Sequence, residues 1–185
     1  MLMFLRDNGL LHPSRRVLHM APEEGLRRHL KQRDVYVGAD IAPGPRVSHV
    51  FDVEHIPFPA ASFDLVICSH VLEHVPDDRQ AVREFARVLA PAGRAVFQHP
   101  INTAAACTAE DPAVVSPNER ARLYGQFDHL RMYSTDFPAR LEESGLRAER
   151  SDYLARLPAD DVARFAVQDT APVSQGEIYL ARPGT

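Results

Sequence analysis

Two acidic residues stand at the ends of successive runs of β-branched and aromatic residues. Asp40 follows the run 35–39, and Asp52 ends the next such run, which starts at position 47. The carboxyl ends of parallel strands form the ligand crevice of an open α/β sheet, and Asp40 comes roughly 20 residues after the first strand, where a carboxylate accepts both ribose hydroxyls. Asp52 is placed to pair with an exocyclic amine of a base. Either residue alone is equally expected as a turn or helix cap, but the two together predict a nucleoside site.

The loop after the first strand reads HMAPEEG over residues 19–25 and lacks the glycine pattern of dinucleotide sites. Glycines in that pattern let backbone amides approach a pyrophosphate, whereas Glu23 and Glu24 would repel one. NAD, FAD and nucleoside triphosphates are therefore disfavoured as ligands. The same carboxylates suit an adenosine compound that has a positive ammonium group and no phosphate, and S-adenosylmethionine is such a compound.

Histidines supply the candidate bases, and four of the nine fall on the predicted ligand side of the sheet: His70, His74, His99 and His129. Methyl transfer from a sulfonium is an in-line displacement that depends on alignment, and a histidine can act as a base near neutral pH. Each histidine alone is more often a packing or capping residue. We name three candidate catalytic residues, His129, His74 and His99. The candidate substrate-binding residues are Tyr124, Asp128, which would orient His129, and Arg131, which would bind a carboxylate or phosphate.

A metal site is the alternative use of these side chains, since the four histidines could converge with Asp128. However, His70 and His74 straddle a strand-to-helix loop, and no compact zinc spacing is present in the sequence. We therefore expect no metal.

The chain has 185 residues, of which 45% are hydrophobic and 25% are charged, and its formal net charge is −4. This length predicts one globular domain over 1–185. The slight acidity disfavours a nucleic-acid-binding protein. The apolar start at 1–5 is broken by Arg6 and Asp7, so we expect neither a signal peptide nor a membrane span. Two cysteines are too few for a disulfide framework and indicate a soluble cytoplasmic protein.

The elements that must position these residues alternate along the first half of the chain, as is typical of parallel strands joined by crossover helices. Apolar runs predict strands over 16–20, 35–39, 47–51, 63–68, 93–98, 146–152 and 177–181. Amphipathic stretches predict helices over 24–30, from 77 to the proline at 91, and over 136–144. A capping box at 116–119 followed by Gly125 predicts a further helix. It lies within 99–135, a partly helical insertion that we expect to cover the substrate.

The stretch 52–100 carries four further motifs, which read HIPFP at 55–59, SFDLV at 62–66, HVLEHV at 70–75 and RVLAPAG at 87–93. In these motifs the sequence closely resembles the class I S-adenosylmethionine-dependent methyltransferases, in particular the small-molecule branch known as methyltransferase type 11. The resemblance implies an α/β fold with a Rossmann-like, doubly wound, seven-stranded sheet that is mostly parallel with an antiparallel last strand. It also implies S-adenosylmethionine as the cofactor and methyl transfer to an oxygen or nitrogen of a small molecule.

Carried over residue by residue, the resemblance places cofactor-binding residues at the ends of three strands. Asp40 and its neighbour Ile41 would contact the ribose, and Asp52 and Val53 would surround the adenine. Beside the methyl donor, after the fourth strand, it places Ser69 and His70.

The family's first motif begins with an acid and has three glycines, and here the chain departs from it. His19, Ala21 and Glu23 stand at the acid and first two glycine positions, and only Gly25 matches. We expect Glu23 to hold the ammonium group of the cofactor.

From the length of 185 residues we expect no separate substrate domain, and we expect specificity to come from short segments: 1–14, the insertion and 155–175. The sequence does not decide whether the chain forms a homodimer. A second class of function is a non-catalytic S-adenosylmethionine-binding protein, which the altered first motif would favour. A nicotinamide-dependent dehydrogenase is disfavoured by the acidic loop.

Overall fold

The computed structural model describes residues 1–164, 173–174 and 177–184. Its strands are β1 Val17–Met20, β2 Tyr36–Asp40, β3 His49–Val50, β4 Phe63–Ser69, β5 Leu89–Gln98, β6 Ile101–Asn102, β7 Ala109–Glu110, β8 Arg131–Ser134, β9 Leu146–Ser151, β10 Val173–Ser174 and β11 Ile178–Pro183. Its helices are α1 Leu2–Asp7, α2 Glu24–Leu30, α3 Asp78–Val88, α4 Pro117–Tyr124, α5 Phe137–Glu143 and α6 Ala159–Arg164.

Seven strands form one sheet in the order β3-β2-β1-β4-β5-β11-β9. The five strands from β3 to β5 are mutually parallel, and β11 runs antiparallel between β5 and β9. The sheet order reverses at β1, which lies between β2 and β4. The expected α/β architecture with an antiparallel last strand is confirmed.

Both faces of the sheet are covered, which explains why residues 65–68 of β4 form an unbroken apolar run. Leu65 and Ile67 pack in a cluster that also contains buried residues of α1 and α2. Their neighbours Val66 and Cys68 pack on the opposite face, in a cluster with buried residues of α3 and α5. Successive side chains of a strand point to opposite faces, so a strand buried on both sides must be apolar throughout.

Helix α3 begins as predicted and ends earlier than predicted. The carboxylate of Asp77 accepts a hydrogen bond from the backbone N–H of Gln80 at 2.8 Å and so caps its first turn. The helix ends at Val88 because Leu89 is already extended, and Pro91 lies inside β5. That proline falls where the pairing of β4 with β5 changes register, a position at which a strand tolerates the missing N–H.

The segment 99–135 contains the one predicted helix together with short strands that the sequence did not indicate. It contains α4, which follows Ser116 and ends at Gly125 with φ +91°, but the Ser116 side chain makes no capping hydrogen bond. It also contains β6, β7 and β8, which with β10 form a second sheet in the order β10-β6-β8-β7. Strands of two to four residues carry too little alternation to be recognised in a sequence.

Three further segments singled out in the sequence are seen wholly or in part: the third strand, the N-terminal residues and the stretch 155–175. The predicted third strand over 47–51 shortens to the two residues of β3. Residues 1–14 contribute Phe4, Leu5 and Leu10 to the core. Of the stretch 155–175, positions 165–172 and 175 lie outside the described residues. No helix in the described part of the chain is long and apolar enough to cross a membrane.

Candidate functional site

A pocket of about 450 Å³ opens at the carboxyl ends of the parallel strands. We call one side of it the strand-end wall, which consists of Met20, Ala21, Asp40, Ile41, Phe51, Asp52 and Val53. The other side, the histidine wall, consists of His70, Val71, His74, Val75, Pro76 and Asp128. The pocket therefore lies beyond the carboxyl ends of β1 and β4, at the point of reversal in strand order.

The two acidic residues that the sequence singled out both line the strand-end wall. A carboxylate oxygen of Asp40 accepts the backbone N–H of Ala42 at 3.4 Å, and one of Asp52 accepts that of Glu54 at 2.9 Å. Such bonds to the backbone two residues ahead hold an aspartate side chain in place at the end of a strand. Ile41 and Val53, expected beside them, line the same wall.

Ala21 and His70 continue β1 and β4 beyond their last residues in a left-handed conformation. Their φ angles are +46° and +52°. Each still donates its backbone N–H across the sheet, to the carbonyl oxygens of Ala39 and Gln98 respectively, both at 2.8 Å. Ala21 therefore adopts the conformation for which a glycine is usually needed, at one of the motif positions where the family has glycine. Left-handed residues other than glycine cluster at functional sites.

His19 and Glu23 form a pair behind this wall. The His19 ring is completely buried, with Nε2 2.5 Å from a carboxylate oxygen of Glu23 and Nδ1 3.1 Å from the hydroxyl of Tyr36. Burial alone would raise the pKa of Glu23, but the hydrogen bond and charge of His19 outweigh it and lower that pKa. Glu23 thus precedes α2 as an ionised residue, which the helix N-terminus favours.

Four predicted cofactor-binding residues are not among those that line the pocket. They are His19, Glu23, Gly25 in the first turn of α2, and Ser69, the last residue of β4. The structure thus brings six of the ten predicted cofactor-binding residues together around one cavity, namely Ala21, Asp40, Ile41, Asp52, Val53 and His70, and the other four do not line it.

The turn 72–74 carries a residue that the sequence reasoning missed. The Glu73 carboxylate is 1% exposed, and neither of its oxygens has a hydrogen-bond partner among the described residues. His70 Nδ1 lies 3.4 Å from it. Burial alone would raise the pKa of Glu73, but nearby His70 and His99 outweigh this effect and lower it. The only signal in the sequence is the Glu-His pair of the HVLEHV motif.

Two candidate bases lie beside this carboxylate. The rings of His74 and His129 meet edge to face, with centroids 4.8 Å apart. His74 lines the pocket, and its Nδ1 is 3.4 Å from a carboxylate oxygen of Asp128. His129 is buried and donates from Nδ1 to the backbone oxygen of Tyr124 at 2.8 Å. Asp128 therefore approaches His74, and not His129 as the sequence predicted.

The third candidate base, His99, lies in an aromatic environment away from the pocket surface. Its ring centroid is 4.5 Å from that of Tyr133, 4.0 Å from Phe137 and 6.2 Å from Tyr179. Burial lowers the pKa of His99 to about 4, so its ring is neutral near pH 7. This environment gives His99 a packing role.

The candidate substrate-binding residues Arg131 and Tyr124 are buried and hold the site together. Arg131 donates to the backbone oxygens of Leu72, Val75 and Pro76 at 2.8, 2.5 and 2.9 Å. Its Nε donates to Glu110 at 3.0 Å. The guanidinium of Arg131 thus fixes both ends of the turn that carries Glu73 and His74.

Tyr124 joins two parts of the insertion. Its hydroxyl accepts the backbone N–H of Asp111 at 3.0 Å, while its carbonyl oxygen accepts the His129 bond. Neither Tyr124 nor Arg131 is among the residues that line the pocket.

Comparisons with known proteins agree with this geometry. A family model described as a methyltransferase domain matches residues 9–97. An S-adenosylmethionine-dependent methyltransferase from Mesorhizobium loti superposes with a TM-score of 0.64 at 20% identity, covering 98% of both chains. Residues 9–97 thus match a methyltransferase domain, and the chain has the class I methyltransferase fold. The resemblance noted in the motifs of 52–100 is therefore confirmed, and S-adenosylmethionine is the cofactor of this family.

Two further relatives are methyltransferases named for particular small molecules. The 27-O-demethylrifamycin SV methyltransferase of Amycolatopsis mediterranei is 32% identical over 101 residues, which are 55% of this chain and 35% of that protein. The 1,6-didemethyltoxoflavin-N1-methyltransferase of Burkholderia thailandensis, solved with S-adenosylhomocysteine bound, has a TM-score of 0.62 at 13% identity and is covered over 76% of its length. The chain thus spans about a third of the length of the first of these relatives.

Proposed function

We propose that this methyltransferase domain transfers a methyl group from S-adenosylmethionine to an oxygen or nitrogen of a small molecule. The observation that carries the proposal is the pocket at the strand ends, with two carboxylates on one wall and histidines on the other. Its volume of about 450 Å³ suits a small-molecule ligand. Related proteins named for rifamycin and toxoflavin precursors support a small-molecule acceptor.

The strand-end wall fits the cofactor. Asp40, with Ile41 beside it, would accept the ribose hydroxyls, and Asp52 and Val53 would contact the adenine. Ala21, at a motif position where the family has glycine, adopts the left-handed conformation that glycine adopts readily, so this replacement by itself does not argue against a working cofactor site. When bound, S-adenosylmethionine supplies an electrophilic methyl group.

Glu23 keeps the role proposed for it, binding of the cofactor's ammonium group. One of its oxygens is paired with His19, and its side chain remains 45% exposed. Gly25 would allow close approach at the start of α2, and Ser69 would lie beside the donor with His70.

His74 is the candidate base that lines the pocket. Its neighbour Asp128 would orient the ring and stabilise its protonated form when the acceptor loses a proton. Alignment of the acceptor with the methyl group contributes most to the rate of such a displacement. Both cysteines, Cys68 and Cys107, are free thiols, which supports a cytoplasmic setting.

Calorimetric titration with S-adenosylmethionine tests the cofactor assignment. We expect the native chain to bind it, and Asp40→Asn and Asp52→Asn to bind roughly 10–100-fold more weakly, because hydrogen bonds to charged groups contribute about 1.5–3 kcal/mol. Asp34→Asn, at an exposed position outside the pocket, is the matched control and should bind normally. Binding of NAD without binding of S-adenosylmethionine would overturn the proposal.

A further inference from the structure

Two buried side chains, Glu73 and His129, lie close to His74 of the histidine wall. Glu73, His74 and His129 each offer one ligand atom, and these atoms lie within 4.8 Å of one another. Ligands bound tetrahedrally to a metal ion at about 2.0–2.2 Å are about 3.4 Å apart. Small rotations of side chains would therefore bring the three onto one ion.

His129 is prepared as a metal ligand by its other nitrogen. The carbonyl oxygen of Tyr124 can only accept, so the proton of the neutral ring lies on Nδ1, which donates to it at 2.8 Å. Nε2 is then an unprotonated acceptor, and it is buried with no hydrogen-bond partner among the described residues. Metal-bound histidines commonly donate their second N–H to a carbonyl or carboxylate in this way.

Glu73 supplies the negative charge. Both of its oxygens are buried and have no hydrogen-bond partner within the described residues. Burial of a carboxylate carries a desolvation cost, and a bound cation would offset that cost more directly than the neighbouring histidines do. His70, whose Nδ1 is 3.4 Å away and whose side chain is 46% exposed, is too distant for a good hydrogen bond.

His74 connects this cluster to the pocket. Asp128 lies 3.4 Å from its Nδ1 and would act as an outer-layer partner of the ring if Nε2 binds the ion. The guanidinium of Arg131 holds the backbone on both sides of the turn and keeps Glu73 and His74 in place. The arrangement thus has three ligands and a supporting outer layer.

We propose that Glu73, His74 and His129 bind one divalent transition-metal ion at the wall of the pocket. Two imidazole nitrogens and one carboxylate suit zinc and neighbouring first-row ions better than magnesium or calcium, which prefer oxygen ligands. Three protein ligands leave a coordination position for an oxygen of the methyl acceptor. With the ion bound, His74 is a ligand and not a free base, and the ion would instead make the acceptor hydroxyl more acidic. This last role rests on the proposed function, whereas binding of the ion does not.

The test uses the full chain after treatment with a chelator. Equilibrium dialysis should show one tightly bound Zn²⁺ per chain, and Co²⁺ should give the visible absorption of a site with few ligands. Glu73→Gln and His74→Gln should each weaken Zn²⁺ binding by at least about 100-fold, because loss of an outer-layer partner alone costs about 10–100-fold. His29→Gln, on the exposed face of α2, is the control and should bind Zn²⁺ normally.

Near-ultraviolet circular dichroism shows whether each variant is folded. If Glu73→Gln does not fold, His74→Gln decides the question, because the His74 side chain is partly exposed and tolerates the change. The metal site would be overturned if the native chain did not bind Zn²⁺, or if the folded ligand variants bound Zn²⁺ as tightly as the native chain does. Zn²⁺ binding without S-adenosylmethionine binding would remove the proposed function and leave the metal site in place.

Discussion

The two walls of the pocket are held by different kinds of interaction. In the strand-end wall, Ala21 extends the backbone pairing of β1, and Asp40 bonds to the backbone two residues ahead. In the histidine wall, the turn is fixed by Arg131, which lies 59 residues from Leu72 in sequence and 56 from Val75. The first wall therefore depends on local backbone structure, and the second depends on a charged side chain brought from the insertion.

Removal of the Arg131 side chain should produce the largest effect and should disrupt the histidine wall. Arg131→Met leaves three backbone oxygens and the carboxylate of Glu110 without this donor. Loss of one partner from a buried ion pair costs about 3–5 kcal/mol of the free energy of unfolding, which urea denaturation measures. Zn²⁺ affinity should also fall, in any variant molecules that remain folded.

Arg122→Met is the matched control, because the Arg122 side chain is exposed on α4. We expect a change in the free energy of unfolding of no more than about 0.5 kcal/mol for it. A loss of less than about 1 kcal/mol in Arg131→Met would contradict the view that this residue holds the wall.

A substitution in β2 should disrupt the other wall in turn. A Cβ added at Gly38 would lie 2.9 Å from the backbone oxygen of Arg46 and 3.3 Å from Cγ of Pro22. Gly38→Ala should therefore destabilise the chain by about 1–3 kcal/mol. Calorimetry should show weaker S-adenosylmethionine binding, whereas Zn²⁺ affinity should stay unchanged.

Gly25→Ala serves as the comparison, since nothing lies within 4 Å of the added Cβ and the site is helical. It should be neutral or raise the free energy of unfolding by up to about 1 kcal/mol. Equal destabilisation by both substitutions would mean that close packing at Gly38 is not the cause.

Replacement of Ala21, the left-handed residue of the strand-end wall, should change stability less than Gly38→Ala does, and in the opposite direction. The left-handed conformation destabilises a residue other than glycine by roughly 1–2 kcal/mol. Glycine removes that cost, but its greater freedom in the unfolded chain offsets about 0.4–1 kcal/mol of the stabilisation. Ala21→Gly should therefore raise the free energy of unfolding by up to about 1 kcal/mol. Ala61, with φ +56°, is outside the pocket lining and gives the matched variant Ala61→Gly. If both variants are stabilised to a similar extent but only Ala21→Gly changes the affinity for S-adenosylmethionine, the conformation of Ala21 is linked to cofactor binding. A lower free energy of unfolding in Ala21→Gly would show that the backbone at Ala21 is not strained.

Acid should weaken the contact of Glu110 with Arg131, the residue that holds the histidine wall. Because solvent screens this partly exposed carboxylate, we expect the smallest of the four effects here. Burial alone would raise the pKa of Glu110, but hydrogen bonds from Arg140 and Arg131 outweigh it and lower that pKa to about 2. The stabilisation by ionised Glu110 is complete above about pH 4.5, its usual pKa, and is lost as the pH falls toward 2. Urea unfolding at several pH values should show a shallower dependence in Glu110→Gln over that range. An identical pH dependence in native chain and variant would remove Glu110 from this role.

The strand-end wall could be predicted from the sequence because its signals are local. The runs that became β2 and β3 were each followed by an aspartate in the sequence, and the rule that ligands bind at strand ends placed Asp40 and Asp52 at the pocket. The left-handed conformation of Ala21 and His70 had no such signal, because neither residue is a glycine.

Much of the histidine wall could not be predicted, because distant parts of the chain build it. The short strands β6, β7 and β8 have no measurable alternation, so the position of His129 relative to Glu73 depended on a sheet that the sequence did not reveal. Arg131 was expected to face a substrate, since nothing in its neighbourhood in sequence shows the carbonyl oxygens that it binds. The pairing of Asp128 with His74 was missed for the same reason.

The place of β11 in the sheet has a consequence for how the protein is made. Within the described residues, β9 pairs with β11 alone, and β11 separates it from β5. Ribosomes add residues from the N-terminus onward, so β9 emerges before its only strand partner has been synthesised. Until β11 follows, both β5 and β9 present an unpaired edge, which makes the nascent chain prone to pairing with other chains at that stage.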